Sequence, residues 1–138
     1  MMSTHDDLCV VMRARRLSRI LTRAYDEALR ELGLTVPQFT LLKAAAAQEP
    51  VSPAQIGRSL DLEKSTLSRT LGKMIDRGWL DEHRGEDGGK IIVTTSFGRK
   101  TLKQALPVWN EVQSRAKQEL GGQALEALDR MIDQAHQI

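Results

Sequence analysis

The sequence predicts a mostly α-helical chain with one small β-hairpin, and three observations carry this prediction. Apolar residues recur at three- and four-residue steps over most of the chain, which is typical of amphipathic helices. Two helical stretches begin with Ser or Thr followed three residues later by Gln, a common helix-start signal. A glycine-rich, charged turn at 85–89 separates two short stretches that resemble strands. We expect about six helices and roughly two to three short strands.

Composition restricts the class of protein. The chain has 138 residues, a length usual for one domain, and no apolar run reaches the ~18 residues that a membrane span needs. The first residues carry two acids where a signal peptide has positive charge, so we expect a cytoplasmic protein. Cys9 is the single cysteine, which excludes an intrachain disulfide. With a net charge of +2, a nucleic-acid binder must concentrate its cations on one surface.

The first two helices have clear boundaries in the sequence. An apolar stripe predicts a long helix over 8–32, and Gly33 ends it. Thr35 is the expected N-cap of the second helix, which starts near Pro37 and continues to about Gln48.

The central segment predicts two short helices and a hairpin. Ser52 is the N-cap of a helix that ends near Leu60, and the next helix runs over 64–77. Strands are expected at 79–83 and 91–94.

The last third of the chain returns to a helical pattern from Thr95 onward. Pro107 lies inside it and predicts a kink or break near 105–106. Gly121 and Gly122 separate a last helix. On each side of these glycines we expect a helix whose apolar residues repeat at helical spacing. They are Leu102, Leu106, Trp109 and Val112 before the glycines, and Leu125, Leu128, Ile132 and Ala135 after them.

The two central helices have the pattern of a helix-turn-helix. Ile56 and Leu60 face inward, Gly57 allows a close helix crossing, and Asp61 occupies the turn. The hairpin that follows directly makes this a winged helix-turn-helix. Such a unit places its second helix in the major groove of double-stranded DNA.

The candidate DNA-contacting residues lie on that second helix and on the hairpin, here called the wing. Short hydroxyl side chains reach base edges or phosphates, and an arginine makes bidentate contacts to guanine. The candidates on the helix are Lys64, Ser65, Thr66, Ser68, Arg69 and Lys73. On the wing, Arg84 and Lys90 are candidates for the minor groove, with Asp87 bracing one of them.

The chain resembles the MarR family of transcription regulators over nearly its whole length. The segments RLSRILTRAYDEAL (16–29) and GLTVPQFTLL (33–42) resemble the family's first helix and the loop and second helix. LDLEKSTLSRTLGKMIDRGWLDEHRGEDGG (60–89) resembles its recognition helix and wing, and TTSFGRKTL (94–102) its entry into the fifth helix.

The resemblance implies a homodimer, as does the apolar surface that the terminal helices would expose in a monomer. We expect a helical dimerisation domain at 1–34 and 96–138, and a winged helix-turn-helix domain at 35–95. The resemblance also implies a repressor that leaves a near-palindromic operator when a small aromatic or anionic ligand binds. Candidate residues of the ligand cleft lie on the first two helices: Met12, Arg16, Tyr25 and Phe39.

The wing departs from the family pattern. The family usually has Asp-x-Arg there, whereas Asp87 is followed by Gly88 and Gly89, and the loop looks one residue short. Lys90 is the nearest cation and the expected substitute. We therefore expect weaker readout of DNA shape.

Three alternatives stand beside this interpretation. Catalysis is disfavoured, because His5, His83 and His136 are scattered and no catalytic motif, metal cluster or cofactor motif occurs.

The second alternative is a peroxide-sensing regulator that uses Cys9, with Arg13 one turn away to activate the thiol. Tyr25 and Val36 do not match the sensor pattern, and a buried structural cysteine is the simpler expectation. The third alternative is a DNA-binding protein that responds to no ligand.

Overall fold

The structure is a computed structural model and describes residues 9–138. Residues 1–8, which include His5 and the acidic N-terminal start, lie outside this range. The described chain has six α-helices, one 3-10 turn and a two-stranded antiparallel sheet. The prediction of a mostly helical fold with a small hairpin is therefore confirmed. None of the described helices is long and apolar enough to cross a membrane.

The elements follow the order expected of a winged helix-turn-helix with a helix on either side. In chain order they are α1 (Val10–Leu29), a 3-10 turn (Arg30–Leu32), α2 (Val36–Gln48), α3 (Pro53–Leu60), α4 (Lys64–Asp76), β1 (Leu80–Arg84), β2 (Lys90–Thr94), α5 (Ser96–Leu120) and α6 (Ala124–Ala135). The predicted boundaries agree with these to within about two residues, except that the first helix changes to the 3-10 turn before Gly33. Gly33 has φ of +71°, a left-handed conformation that glycine adopts without steric cost.

Reciprocal side-chain caps set the starts of α2 and α3. Thr35 Oγ1 accepts a hydrogen bond from the Gln38 N–H at 3.4 Å, and Gln38 Oε1 accepts one from the Thr35 N–H at 3.0 Å. Ser52 and Gln55 make the same pair at 3.2 and 2.9 Å. Each pair satisfies two N–H groups that a helix start leaves without partners. Both predicted caps are confirmed.

The helix-turn-helix is held by a close crossing of α3 and α4. A Cβ atom at Gly57 would lie 3.2 Å from Leu67 Cδ2, so the crossing leaves little room for a side chain. Ile56, next to Gly57 on α3, is fully buried. Asp61 occupies the turn with φ of +52° and ψ of +42°, a left-handed conformation unusual for a residue with a side chain. Glycine would adopt this conformation without steric cost, whereas aspartate adopts it less easily.

The wing is anchored at its base. Leu80 pairs with Thr94 and Arg84 with Lys90, while Val51 adds an isolated bridge to Ile92. Thr94 donates hydrogen bonds to the Glu49 carboxylate through its N–H at 2.8 Å and its hydroxyl at 2.6 Å. These contacts join the hairpin to the loop between α2 and α3.

The core is one cluster that connects α1 and α5 to the winged unit. Leu29 of α1 and Ala105 of α5 belong to it and are fully buried. The largest fully buried side chains of the cluster are Trp79, Phe39, Leu29, Leu41, Leu42, Ile56, Met74, Leu80 and Ile92. Burial of side chains of this size contributes roughly 1.5–3 kcal/mol each.

The expected break near 105–106 does not occur, because α5 continues through Pro107 to Leu120. A proline inside a helix costs about 3 kcal/mol, because it loses the hydrogen bond to the residue four positions earlier and its ring clashes with that residue's carbonyl. That residue is Lys103, on the exposed side of α5. Buried Ala105 and Val112 flank the proline and hold the helix on both sides.

A backbone contact at Trp79 joins α4, the wing and α5. The Trp79 carbonyl accepts a hydrogen bond from the Thr95 N–H at 3.1 Å, and the Thr95 hydroxyl donates one to the neighbouring Gly78 carbonyl at 2.5 Å. Thr95 Oγ1 in turn accepts one from the Gly98 N–H at 2.9 Å. A Cβ atom at Gly98 would lie 2.0 Å from the Trp79 carbonyl oxygen, a distance that no packing permits. Glycine is therefore required at this position.

Replacing Gly98 with alanine should destabilise the fold strongly. The added methyl group must push the start of α5 away from the Trp79 carbonyl, and such overpacking costs about 3 kcal/mol. Urea unfolding followed by circular dichroism measures the change in free energy of unfolding. Gly122→Ala is the control, because a Cβ atom there meets nothing within 4 Å. Equal stability of the two variants would contradict the prediction.

Candidate nucleic-acid interface and adjacent cavity

The outer face of α4 carries most of the predicted DNA-contacting residues. Its inner face packs into the core through Leu67, Leu71 and Met74. Five of the six predicted residues are exposed on the rest of the surface: Lys64, Ser65, Ser68, Arg69 and Lys73. Thr66 is half-buried, and its carbonyl accepts a hydrogen bond from the Thr70 hydroxyl at 3.0 Å. Because the inner face is fixed, the exposed residues are presented on a rigid helix.

Gly72 lies on the same outer face and was missed by the sequence analysis. It is exposed and comes seven residues after Ser65 and three after Arg69. Since a helix advances 100° per residue, these three positions project in similar directions. The helical spacing alone could have identified it.

Glu63 is the N-cap residue of α4 and makes no side-chain cap hydrogen bond.

The two wing cations have different surroundings. Arg84 Nη1 donates a hydrogen bond to the Gly88 carbonyl at the turn, at 2.8 Å. Lys90 Nζ lies 3.6 Å from Glu82 Oε1 across the hairpin, and both side chains are well exposed. Asp87 was expected to brace one of the two cations, but its carboxylate accepts the Gly89 N–H at 2.9 Å. The short loop is therefore closed by its own backbone, with Arg84 folded over it.

An apolar cavity of about 1150 Å³ lies between α1, α5 and α6. Its walls include Leu21, Trp109 and Ile132, and two arginines line it, Arg13 and Arg130. This cavity combines hydrophobic walls with a few cationic groups, as many small-molecule sites do.

Tyr25 provides a further polar group in the cavity wall. Its hydroxyl donates a hydrogen bond to Gln113 Oε1 at 2.5 Å, which links α1 to α5. Burial raises the pKa of the Tyr25 hydroxyl above its ordinary value of 10.0, so the group is protonated at neutral pH.

Only one of the four predicted cleft residues, Tyr25, lines the cavity. Met12 and Arg16 lie on the exposed part of α1. Phe39 is 2% exposed and belongs to the core, where its ring centroid is 5.8 Å from that of Trp109. Phe39 therefore supports a cavity wall from behind. The sequence missed Trp109 and α6 because the cavity forms between helices distant along the chain.

The outer surfaces of α1 and α6 expose many large apolar side chains. Val10 is 81% exposed, and Met131 and Ile132 are each more than half exposed. The remaining exposed apolar residues on the two helices and at the adjoining ends are Val11, Met12, Ile20, Leu120, Leu125 and Ile138. A surface of this kind is unusual for an isolated soluble protein and is typical of an interface.

The residues considered for redox or metal chemistry are dispersed. Cys9 is exposed at the start of α1, so the expectation of a buried cysteine is wrong for the single chain. His83 is exposed on β1, and His136 Nε2 lies 3.1 Å from Asp61 Oδ1. Within residues 9–138, no three His, Cys, Asp or Glu side chains are grouped so that they could hold a metal ion.

Comparison with known proteins gives a consistent result. The family model described as "MarR family" matches residues 32–91. The chain is 26% identical to the HTH-type regulator YwoH of Bacillus subtilis over 88 residues, 63% of this chain and just under two thirds (64%) of that relative. It is also 26% identical to the organic hydroperoxide resistance transcriptional regulator of the same species, with 85% of this chain and 80% of that protein covered.

Solved structures extend the similarity over the whole described fold. The transcriptional regulator MosR of M. tuberculosis, in complex with DNA, is 30% identical, with 94% of this chain and 97% of that chain covered and a TM-score of 0.84. The M. tuberculosis MarR family protein Rv2887, in complex with p-aminosalicylic acid, is 22% identical, with 94% and 99% covered and a TM-score of 0.66. The latter likeness shows a shared fold.

The helix order, the wing and the close crossing of α3 and α4 agree with the family match and with the similarity to MosR. This chain belongs to the MarR family of winged helix-turn-helix transcriptional regulators.

Proposed function

We propose that this chain is a homodimeric repressor that binds a near-palindromic operator and leaves it when a small aromatic anion binds. The observation that carries the proposal is the outer face of α4, which presents exposed hydroxyl and cationic side chains on a helix fixed by its buried face. The DNA complex of the similar regulator MosR supports DNA as the partner.

Readout of the operator rests on α4. Arg69 lies near the middle of the exposed face, where its guanidinium can contact O6 and N7 of a guanine. Ser65, Thr66 and Ser68 are close to the start of the helix and are suited to base edges or phosphates. Lys64 and Lys73 at the two ends are placed for phosphate contacts, which fix the register of the protein on DNA.

On the wing, the surroundings favour Arg84 over Lys90 as the minor-groove residue. The Glu82 carboxylate lies near Lys90 and offsets the positive charge of that lysine. Arg84 is instead hydrogen-bonded to the neutral Gly88 carbonyl at the turn. A guanidinium in a narrow minor groove is attracted by the enhanced negative potential there. We therefore revise the expectation that Lys90 substitutes for the missing wing arginine.

A second copy of the chain is the proposed cover for the apolar surfaces of α1 and α6. These helices belong to the segments 1–34 and 96–138 that we assign to dimerisation, leaving 35–95 to DNA binding. Val10, Met131 and Ile132 are exposed and also line the cavity, so a partner helix at its mouth would bury them. Two copies would present two α4 helices, as a near-palindrome requires.

The cavity between α1, α5 and α6 is the proposed effector site. Its apolar walls suit an aromatic ring, and Arg13 and Arg130 suit a carboxylate. The complex of the related protein Rv2887 with p-aminosalicylic acid, an aromatic acid, agrees with this class of ligand. The helices that enclose the cavity are those proposed to join the subunits, so an occupied cavity can change the separation of the two α4 helices.

Peroxide sensing through Cys9 is the second candidate mechanism. Exposure of Cys9 makes it accessible to an oxidant, and one relative is named for organic hydroperoxide resistance. Peroxide should then release DNA from the wild-type protein but not from Cys9→Ala. Equal behaviour of the two proteins would eliminate this mechanism and leave the effector cavity as the means of control.

Arg69→Ala should weaken operator binding by about 1–3 kcal/mol, because a bidentate contact to a base is lost. Fluorescence anisotropy measures this on a duplex that the wild-type protein selects from a random-sequence pool. Arg23→Ala is the matched control, since Arg23 is an exposed arginine on α1. Binding of the wild-type protein should fall steeply with salt. Flat salt dependence, or equal affinity for random duplex, would count against a sequence-specific regulator.

Ile132→Asp should shift the protein from dimer to monomer. Ile132 is 52% exposed in the single chain, and a carboxylate in a buried interface would lack partners. Analytical ultracentrifugation measures the dissociation constant of the dimer. Asp133→Ala, an exposed change one residue away, is the control and should leave the dimer intact. A monomeric wild-type protein at micromolar concentration would refute the proposed assembly.

An aromatic carboxylate such as benzoate should quench the fluorescence of Trp109 and release operator DNA, and benzamide should do neither at the same concentration. The two compounds have nearly the same shape, but only benzoate can pair with Arg13 or Arg130. Trp109→Phe should abolish the quenching, because the second tryptophan, Trp79, is fully buried in the winged unit. Equal binding of both compounds would contradict the assignment of the arginines.

A further inference from the structure

We propose that the backbone of α4 at Gly72 lies directly against the DNA, so that this glycine sets how closely the helix approaches the groove. The inference rests on the proposed function, because it takes α4 as the helix that binds the operator. Gly72 has no side chain, and it lies on the same face of α4 as Arg69.

Three glycines lie inside the helices of the described chain, and two of them have an internal cause. A Cβ atom at Gly57 would meet Leu67 at 3.2 Å, and one at Gly98 would overlap the Trp79 carbonyl. A Cβ atom at Gly72 would meet nothing within 4 Å. Packing within this chain therefore gives no reason for glycine at that position.

The absence of an internal cause matters because a helix glycine is unfavourable. Relative to alanine, glycine in an exposed helix interior lowers the equilibrium constant for folding by roughly fivefold. Gly72 sits in the third turn of α4, well away from either end, so it does not serve as a cap. Close approach of the helix backbone to another molecule is a common use of glycine and would supply a cause outside the chain.

The charges around Gly72 favour DNA as the approaching molecule. Arg69 and Lys73 flank the glycine on the exposed surface and attract phosphates. Asp76 follows one turn later on the same side of the helix and repels them. We therefore place the close approach at Gly72, beside the two cations and before Asp76.

A methyl group at this position would hold α4 away from the groove. Hydrogen bonds weaken steeply as distance and alignment deteriorate, so the base contact of Arg69 would suffer although its side chain is unchanged. No charge is removed by the substitution. The variant should therefore lose operator affinity by the same factor at every salt concentration, because its affinity depends on salt as that of the wild-type protein does.

The test compares Gly72→Ala and Gly72→Leu with the wild-type protein on the duplex that the wild type selects from a random-sequence pool. Both variants should resist urea better, with the unfolding equilibrium constant of Gly72→Ala lower by roughly fivefold. Operator affinity should nevertheless fall by about tenfold or more for alanine and further for leucine. Arg69→Ala serves as the reference for a lost base contact.

Two results would overturn the inference. The first is unchanged affinity of Gly72→Leu for the selected duplex. The second is an equal loss for alanine and leucine, which would indicate that flexibility of the helix, and not closeness, is what glycine supplies. A wild-type protein that selects no sequence would refute the proposed function and the inference together.

Discussion

The carbonyl of Trp79 is the point on which the arrangement of the molecule depends. Trp79 lies between the end of α4 at Asp76 and the start of β1 at Leu80, and its carbonyl accepts a hydrogen bond from the Thr95 N–H just before α5. Its fully buried ring lies beneath the Arg77 guanidinium, 4.6 Å away, and stacks against Phe97. Three elements with different tasks thus share one rigid junction. This junction ties the start of α5 to the segment that follows α4.

The parts of this fold that were predictable from the sequence are those whose physical cause is local. Capping by Thr35 and Ser52 depends on a partner three residues away, and both helix starts were confirmed. The turn at 85–89 likewise depends on its own glycines and was located to within a residue or two. Pro107 shows the limit of local reasoning, because burial of Ala105 and Val112 outweighs the preference of proline for a helix end.

In the candidate site, too, the features with a local cause were predictable and those that depend on distant parts of the chain were not. The exposed face of α4 follows from helical spacing within one element, and five of its six predicted residues are exposed. The cavity does not, because Tyr25 and Trp109 come together only when α1 packs on α5, 84 positions apart in the chain. Phe39 was predicted for the cleft and is instead core, since α2 turns that side of its surface toward Trp109.

The features that are unfavourable in the single chain coincide with the surfaces proposed to meet a partner. Asp61 holds a left-handed conformation in the turn that orients α4, and Gly72 lowers the helical stability of α4 without relieving any contact. Val10 and Ile132 leave apolar area in water on the two terminal helices. A chain selected for its own stability alone would remove each of these at little cost. Their positions on α4, in the turn before it and on the outer surfaces of α1 and α6 match the surfaces proposed for DNA and for a second subunit.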